Sequence, residues 1–202
     1  AGGVQISASH NPAEYNGLKL FSAEGRVIPE GPGRDVLARY QKGTVAWVPH
    51  DRLGASRTLA DPLRPHLEAV LATVDIQRIR AKGFKVLLDS NHGAGSALGR
   101  MLLESLGCRV TVLGAEPDGR FEHLPEPTAE NLASVLEQVT EAEADVGFCQ
   151  DPDADRLAVI DESGRYLGEE YTLAMCVAHV LPERRGPIVA NCATSRMSED
   201  LA

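Results

Sequence analysis

The alternation of short apolar runs with amphipathic stretches after residue 83 constrains the fold of this chain most strongly. Apolar runs at 84–89, 109–113 and 145–149 predict strands, and the apolar spacing over 131–142 predicts a helix. Strands that are apolar along most of their length are typical of sheets covered by helices on both faces. The sequence therefore predicts an α/β fold with mixed, mostly parallel sheets sandwiched by helices.

Turn residues and apolar periodicity divide the rest of the chain into further short elements. We predict strands at 4–7, 18–21, 26–28, 157–161 and 187–191. We predict helices at 35–41, 96–106 and 169–181, and a helical pattern that starts at Asp61. Ser96 is expected to cap its helix, directly after a tight glycine-rich turn at 91–95.

The composition limits the partners that the chain can bind. Its net charge of −9 argues against nucleic-acid and membrane surfaces, and no apolar run approaches the ~20 residues of a membrane span.

The cysteines form no CxxC pair and are expected to be thiols in a reducing compartment: Cys108, Cys149, Cys176 and Cys192. With no secretory signal visible, we predict a cytoplasmic protein. The start without Met and the uncapped last helix lead us to expect a piece of a longer polypeptide.

Three carboxylates at alternate positions follow the strand predicted at 145–149, namely Asp151, Asp153 and Asp155. An extended backbone would place all three on one face, at the carboxyl end of a strand, where open α/β sheets bind ligands. Carboxylates this close repel one another unless a cation neutralises them, and Mg²⁺ prefers oxygen ligands and leaves positions for a phosphate. We therefore predict a Mg²⁺ site, with Arg156 beside it to pair with a phosphate.

Other interpretations of the acidic run are a solvated surface turn, an EF-hand calcium loop and the motif of the aspartyl-phosphate phosphatases. An EF-hand needs Gly at its sixth position, where this chain has Arg156, and its flanks are helices rather than strands. The phosphatase pattern has Thr or Val two residues after its second Asp, where this chain has Asp155. The surface turn stays open at this point.

A second polar cluster lies in the run Ser-Ala-Ser-His-Asn-Pro at 7–12. It places the Ser9 hydroxyl beside the His10 imidazole on a loop broken by proline, so Ser9 is a candidate nucleophile. The alternative is that the Ser and Asn side chains of this loop cap local backbone groups. Lys19 follows in a short strand and is a candidate for moving a proton in the same pocket. Neither the Gly-x-Ser-x-Gly elbow of hydrolases nor a Walker loop is present.

Taken together, the two clusters resemble the α-D-phosphohexomutases, the superfamily of phosphoglucomutases, phosphomannomutases and phosphoglucosamine mutases. The resemblance rests on Ser-Ala-Ser-His-Asn-Pro at 7–12, Asn-Gly-Leu-Lys at 16–19 and Asp-Pro-Asp-Ala-Asp-Arg at 151–156. The segments 88–95 and 125–132 also look like segments of that family. The resemblance therefore covers most of the chain.

The resemblance implies a role for each residue of the two clusters. Ser9 corresponds to the phosphoserine that donates and recovers the phosphoryl group, and Lys19 to the lysine that transfers a proton. His10 and Arg156 are similar to residues that line the same centre. The implied Mg²⁺ ligands are three carboxylates and an oxygen of the phosphorylated serine: Asp151, Asp153, Asp155 and Ser9.

The implied activity is an intramolecular phosphotransfer between hexose 6-phosphate and hexose 1-phosphate, through a hexose 1,6-bisphosphate. The Ser7–Ser9 opening and Leu20-Phe21 look most like phosphoglucosamine mutase, with phosphoglucomutase/phosphomannomutase as the alternative. More distant alternatives are a Mg²⁺-dependent phosphatase with Asp151 as nucleophile and a metal-stabilised module without enzymatic activity.

Enzymes of this superfamily have four domains, and the resemblance divides this chain accordingly. Residues 1–60 correspond to the C-terminal part of domain 1, 61–167 to domain 2 and 168–202 to the start of domain 3, with domain 4 absent. We expect a phosphosugar substrate and, as a partner, the remainder of a longer chain. These residues alone are expected to be incomplete for turnover.

Overall fold

The computed structural model describes residues 2–12, 14–43 and 45–202 and divides the chain into two compact units. The first unit contains the described residues of 1–8 and 14–62, and the second contains those of 9–13 and 63–202. The loop that carries Ser9 therefore belongs to the same unit as the aspartate run. The domain boundaries predicted after residues 60 and 167 stay a prediction.

The first unit contains an antiparallel ribbon and one long helix. Its elements are β1 (Gly3–Ile6), β2 (Leu18–Phe21), α1 (Glu30–Lys42) and a 3-10 turn at His50–Arg52. α1 begins at Glu30 rather than at residue 35, because Pro32 lies in the first turn, where a missing N–H costs no helical hydrogen bond. The strand predicted at 26–28 is reduced to a single bridge between Val27 and Phe21.

A mixed five-stranded sheet forms the second unit. Its strands are β3 (Lys85–Asp89), β4 (Arg109–Leu113), β5 (Val146–Gln150), β6 (Leu157–Asp161) and β7 (Tyr166–Gly168), in the order β4-β3-β5-β6-β7. β3 lies parallel to β4 and β5, whereas the pairs β5–β6 and β6–β7 are antiparallel. The mixed α/β fold is confirmed, with half of its strand pairs parallel rather than most. The connection 151–156 is too short for a parallel crossover, which needs about a dozen residues or more.

Helices cover both faces of this sheet. The helices of this unit are α2 (Arg64–Leu71), α3 (Ile76–Arg80), α4 (Ser96–Ser105), α5 (Ala133–Glu141), α6 (Glu170–Val180) and α7 (Met197–Leu201), of which α4, α5 and α6 contact the strands. Leu87 of β3 belongs to a buried cluster with Val135 and Val139 of α5. Leu88 approaches Gly99 of α4. Because neighbouring strand residues point to opposite faces, α5 and α4 cover opposite sides of β3.

Two local predictions are wrong, and a third is confirmed with different bounds. The strand at 187–191 is not formed, because none of the strands in the described part of the chain offers hydrogen bonds to this run. Ser96 is the first helical residue rather than the cap, which is Gly95, and its buried hydroxyl has no hydrogen-bond partner among the described residues. The helical pattern after Asp61 forms two helices, because Asp75 accepts a hydrogen bond from the Arg78 N–H and starts α3.

No helix in the described part of the chain is long and apolar enough to cross a membrane.

Candidate active site

The three aspartates lie together in the loop that follows β5. One carboxylate oxygen from each of Asp151, Asp153 and Asp155 lies within 4.8 Å of the others. Asp151 is buried, Asp153 is half-buried and Asp155 is exposed, so the group opens from the end of the sheet towards solvent. Because β5 runs parallel to β3, this loop lies at the carboxyl ends of both strands.

A turn, rather than an extended backbone, brings these carboxylates together. The Ala154 N–H donates to the Asp151 carbonyl (2.9 Å), and Ala154 has a left-handed backbone with φ 56. The Asp151 side chain accepts a hydrogen bond from the Arg156 N–H (3.0 Å), which closes the loop at its far end. The predicted clustering is therefore present, but the extended geometry from which we derived it is wrong.

The electrostatics of the cluster fit a divalent cation. Burial, with smaller contributions from the charges of Asp153 and Asp155, raises the pKa of Asp151 to about 6, although the hydrogen bond from the Arg156 N–H acts in the opposite direction. A cation would remove this repulsion, and a donor set of carboxylate oxygens alone suits a hard ion such as Mg²⁺. The residues present therefore fit the predicted metal, with these three carboxylates as its protein ligands.

Ser9 lies beside this cluster. Its Oγ is 3.4 Å from Oδ2 of Asp151, to which it donates, and 3.3 Å from Nδ1 of His10. The backbone of Ser9 is left-handed, with φ 53, a conformation that costs a non-glycine residue about 1–2 kcal/mol. Such backbone strain clusters at functional sites, where the surrounding structure holds the residue in place. The structure thus brings together two clusters that are 142 residues apart in sequence.

His10 and Arg156 share a contact that the sequence analysis did not identify. Oε1 of Glu126 lies 3.9 Å from Nε2 of His10 and 3.7 Å from Nη1 of Arg156. Arg156 also lies 4.0 Å from Oε1 of Glu169. In the sequence, the Pro-Glu-Pro run at 125–127 stood out only as part of a family segment, and Glu126 was not identified as a site residue. The available signal was the pair of prolines, because each of them restricts the backbone next to the glutamate.

Lys19 lies in the first unit, on β2, where it is the register partner of Gln5. Its role as the proton-transferring lysine stays a prediction.

The glycine-rich loop at 91–95 packs directly against the aspartate loop. The Ala94 N–H donates to the Pro152 carbonyl (2.8 Å). A Cβ on Gly93 would lie 2.8 Å from Cα and O of Pro152, and a Cβ on Gly95 would lie 2.5 Å from Cβ of Ala154. Only glycine permits this approach, so the loop at 91–95 supports the turn that gathers the carboxylates.

Gly95→Ala is therefore expected to move the aspartate loop and weaken Mg²⁺ binding about tenfold, which is typical for a residue that supports metal ligands. The new methyl group would lie too close to Ala154, which sits between two of the ligands. Isothermal titration with Mg²⁺ measures the effect. Gly186→Ala is the matched control, because a Cβ at Gly186 has no neighbour within 4 Å. Equal Mg²⁺ affinity in the two variants would contradict this support role.

A buried polar network anchors the chain around residue 123 to the end of β3. Oδ2 of Asp89 lies 2.9 Å from Nε2 of His123, and Oδ1 of Asp89 accepts from the Asn91 N–H (3.0 Å). The Asn91 side chain donates to the His123 carbonyl (3.0 Å) and accepts from the Glu122 N–H (2.8 Å). Sequence reasoning found no signal in His123, because its partner is a buried aspartate 34 residues away.

The His123–Asp89 pair makes stability depend on pH. Burial opposes protonation of His123, but the hydrogen bond and charge of Asp89 outweigh it and raise the pKa of His123 above 6.5. A raised histidine pKa contributes stability that is fully present below pH 6.5 and is lost as the pH rises through the folded-state pKa. We expect His123→Gln to lower the unfolding free energy by about 2 kcal/mol at a pH of about 5.5 and by less at a pH of about 9. Urea unfolding at both pH values measures this.

The control for this prediction is His66→Gln, since His66 is exposed on α2. A loss for His123→Gln that is the same at the lower and the higher pH would show that the charged pair does not stabilise the fold.

Two family patterns match this chain. "Phosphoglucomutase/phosphomannomutase, alpha/beta/alpha domain I" matches residues 1–46, and "alpha/beta/alpha domain II" of the same family matches residues 64–164. The aspartate run and the glycine-rich loop lie within the second match, and the Ser9 loop lies within the first.

Curated relatives and solved structures of the same family are similar along nearly the whole chain. A phosphoglucomutase/phosphomannomutase of Thermococcus kodakarensis is 37% identical over all of this chain and 44% of its own length. A probable phosphoglucosamine mutase of Methanosarcina barkeri is 32% identical over 98% of this chain and 45% of its own. A structure of a phosphoglucomutase/phosphomannomutase family protein from Burkholderia thailandensis has a TM-score of 0.71 at 26% identity, over 89% of this chain and 37% of that one. The structure of a phosphomannomutase-like protein from Thermus thermophilus has a TM-score of 0.82 at 27% identity, over 98% of this chain and 45% of that one. This chain thus spans less than half the length of these relatives.

Proposed function

This chain belongs to the phosphoglucomutase/phosphomannomutase family, and we propose that it is part of an enzyme that interconverts hexose 6-phosphate and hexose 1-phosphate. The proposed route passes through a phosphoserine at Ser9 and a hexose 1,6-bisphosphate. One observation carries this proposal: the Ser9 hydroxyl lies 3.4 Å from Asp151, in the same compact unit as a triad of carboxylates suited to Mg²⁺.

Ser9 is proposed to accept a phosphoryl group from the bisphosphate. Its Oγ forms a bond to phosphorus while the bond between that phosphorus and the sugar oxygen breaks, which leaves a hexose monophosphate. Nδ1 of His10 and Oδ2 of Asp151 lie near enough to Oγ to take its proton (3.3 and 3.4 Å). Lys19 is the proposed proton donor to the sugar oxygen that leaves.

Asp151, Asp153 and Asp155 are proposed to hold Mg²⁺, together with an oxygen of the phosphorylated Ser9. Bound there, the ion supplies charge neutralisation for the phosphoryl oxygens, on which phosphoryl transfer mainly depends. Arg156 follows the triad directly and is proposed to pair with the same phosphoryl group.

We propose a phosphosugar substrate, with glucosamine phosphates favoured and glucose or mannose phosphates as the alternative. Both kinds of name occur among the similar proteins. Full turnover is proposed for a protein that also contains the remaining domains, and residues 168–202 are proposed to form the start of the third. The cytoplasmic location stays a prediction from the sequence.

The phosphatase alternative, with Asp151 as nucleophile, has less support. This carboxylate is buried, and its two oxygens accept hydrogen bonds from the Arg156 N–H and the Ser9 hydroxyl. A ligand role suits such a position better than attack on a substrate.

Intact mass and peptide mapping after incubation with glucose 1,6-bisphosphate and Mg²⁺ test the proposal. We expect one added phosphoryl group on Ser9. A hydroxylamine-labile phosphate on Asp151 would favour the phosphatase. Stabilisation by Mg²⁺ without any modification, in this chain and in the protein containing all four domains, would favour a metal-stabilised module.

A further inference from the structure

We infer that Glu126 is a positioning residue of this site, which holds His10 and Arg156 beside Ser9. The inference rests on the proposed function and adds a residue to its machinery. Glu126 contacts both His10 and Arg156 with a single carboxylate oxygen, at 3.9 Å from Nε2 of His10 and 3.7 Å from Nη1 of Arg156. Its effect on Ser9 is expected to pass through these two side chains.

The contact with His10 orients the imidazole. Nδ1 of His10 faces Ser9 Oγ at 3.3 Å, and the opposite ring nitrogen faces Glu126. A carboxylate on that side favours the ring with its proton on Nε2, which leaves a lone pair on Nδ1 that can accept the Ser9 proton when the hydroxyl turns away from Asp151. This order of hydroxyl, imidazole and carboxylate matches the arrangement by which other enzymes fix a base beside a nucleophile.

The backbone around Glu126 is fixed from the C-terminal side. The Glu126 carbonyl accepts hydrogen bonds from the Asn131 side chain and the Thr128 N–H, both at 2.8 Å. The next carbonyl, of Pro127, accepts from the Tyr166 hydroxyl at 2.8 Å. Pro125, like Pro127, is buried. Glu126 therefore projects an exposed carboxylate from a backbone that is anchored on both sides of it.

The N-terminal side of this segment is fixed by the Asp89–His123–Asn91 network described above. Together these contacts join the Glu126 loop to β3, β7 and the segment before α5. A carboxylate held this firmly loses little freedom when it pairs with a cation. Such an anchorage is unnecessary for a solvated surface charge, and it supports a positioning role.

The exposure of the Glu126 side chain determines how much its loss is expected to slow Ser9 phosphorylation. The Glu126 side chain is half exposed and its contacts are longer than hydrogen bonds, so its loss is expected to lower the rate of Ser9 phosphorylation about fivefold. Arg156 retains its 4.0 Å contact with Glu169, which limits the loss. Glu169→Gln is expected to have a smaller effect, because its contact with Arg156 is the longer of the two.

The test compares Glu126→Gln with Glu130→Gln, a control that removes an exposed carboxylate from the same segment. The first measurement is the side-chain ¹H–¹⁵N NOE of Arg156 Nε. We expect it to fall in Glu126→Gln and to stay at the wild-type value in Glu130→Gln. An unchanged NOE in Glu126→Gln would overturn the inference, whatever the chemistry at Ser9.

The second measurement is the rate of Ser9 phosphorylation at varied glucose 1,6-bisphosphate. Glu126→Gln is expected to lower the maximal rate with little change in the half-saturating concentration, and Glu126→Asp to recover part of it. An unchanged maximal rate would overturn the positioning role. If the wild-type chain forms no phosphoserine, the proposed function fails, and the NOE comparison still decides the contact.

Discussion

Ser9→Ala is expected to lower phosphoryl transfer to this chain by a factor of about 10⁴ or more, because it removes the oxygen that the proposed reaction phosphorylates. The change deletes one atom from a half-buried side chain and leaves the backbone as it is. Folding is therefore expected to survive, and so is Mg²⁺ binding, because all three carboxylates of the triad remain. Intact mass after incubation with glucose 1,6-bisphosphate and Mg²⁺ gives the readout.

The matched control is Ser7→Ala, in the same loop but in the first unit. It is expected to be phosphorylated like the wild type. If Ser9→Ala still gains a phosphoryl group, peptide mapping will show which residue carries it, and the assignment of Ser9 as the nucleophile would be wrong.

Asp151→Asn is expected to have opposite effects on metal binding and on the stability of the metal-free protein. Mg²⁺ affinity should fall roughly 100-fold, since a buried charged ligand becomes a neutral one. Without metal, the variant should be about 1–2 kcal/mol more stable than the wild type at a pH of about 7.5. Because the pKa of Asp151 is raised to about 6, the wild type loses stability as the pH rises from 3.8 to 6, whereas asparagine does not titrate.

Thermal unfolding in EDTA and in Mg²⁺ measures both effects in one experiment. Mg²⁺ should raise the melting temperature of the wild type and leave that of Asp151→Asn nearly unchanged. Glu162→Gln is the control, because an EF-hand loop would use Glu162 as a metal ligand, whereas the triad does not include it. A loss of Mg²⁺ binding in Glu162→Gln would restore the calcium-loop interpretation that we set aside.

The elements with strong local signals were predictable. The strands at 84–89, 109–113, 145–149 and 157–161 are present with ends shifted by at most one residue, since apolar β-branched runs bounded by turns leave little choice of structure. The strand at 187–191 failed although its composition is similar, because a strand also needs a neighbour, and pairing is not a local property.

In the candidate site, too, local features were predictable and features that depend on distant contacts were not. Spacing alone indicated that Asp151, Asp153 and Asp155 form a cluster, and the short loop after a buried strand does gather them. The spacing did not predict the backbone conformation of this loop. The left-handed turn at Ala154 is held by a hydrogen bond and by packing against Gly95, which is distant in sequence.

The chemistry of this chain can be read from its residues in order: a serine beside a histidine, three carboxylates in one loop, and the strands and helices of an α/β unit. Which of these groups meet is a property of the folded protein. Folding places Ser9 against Asp151 and brings Glu126 to His10 and Arg156. The physical reason is that side-chain type and short spacing belong to neighbouring residues, whereas contacts across 142 residues depend on how loops are held by the packed sheet.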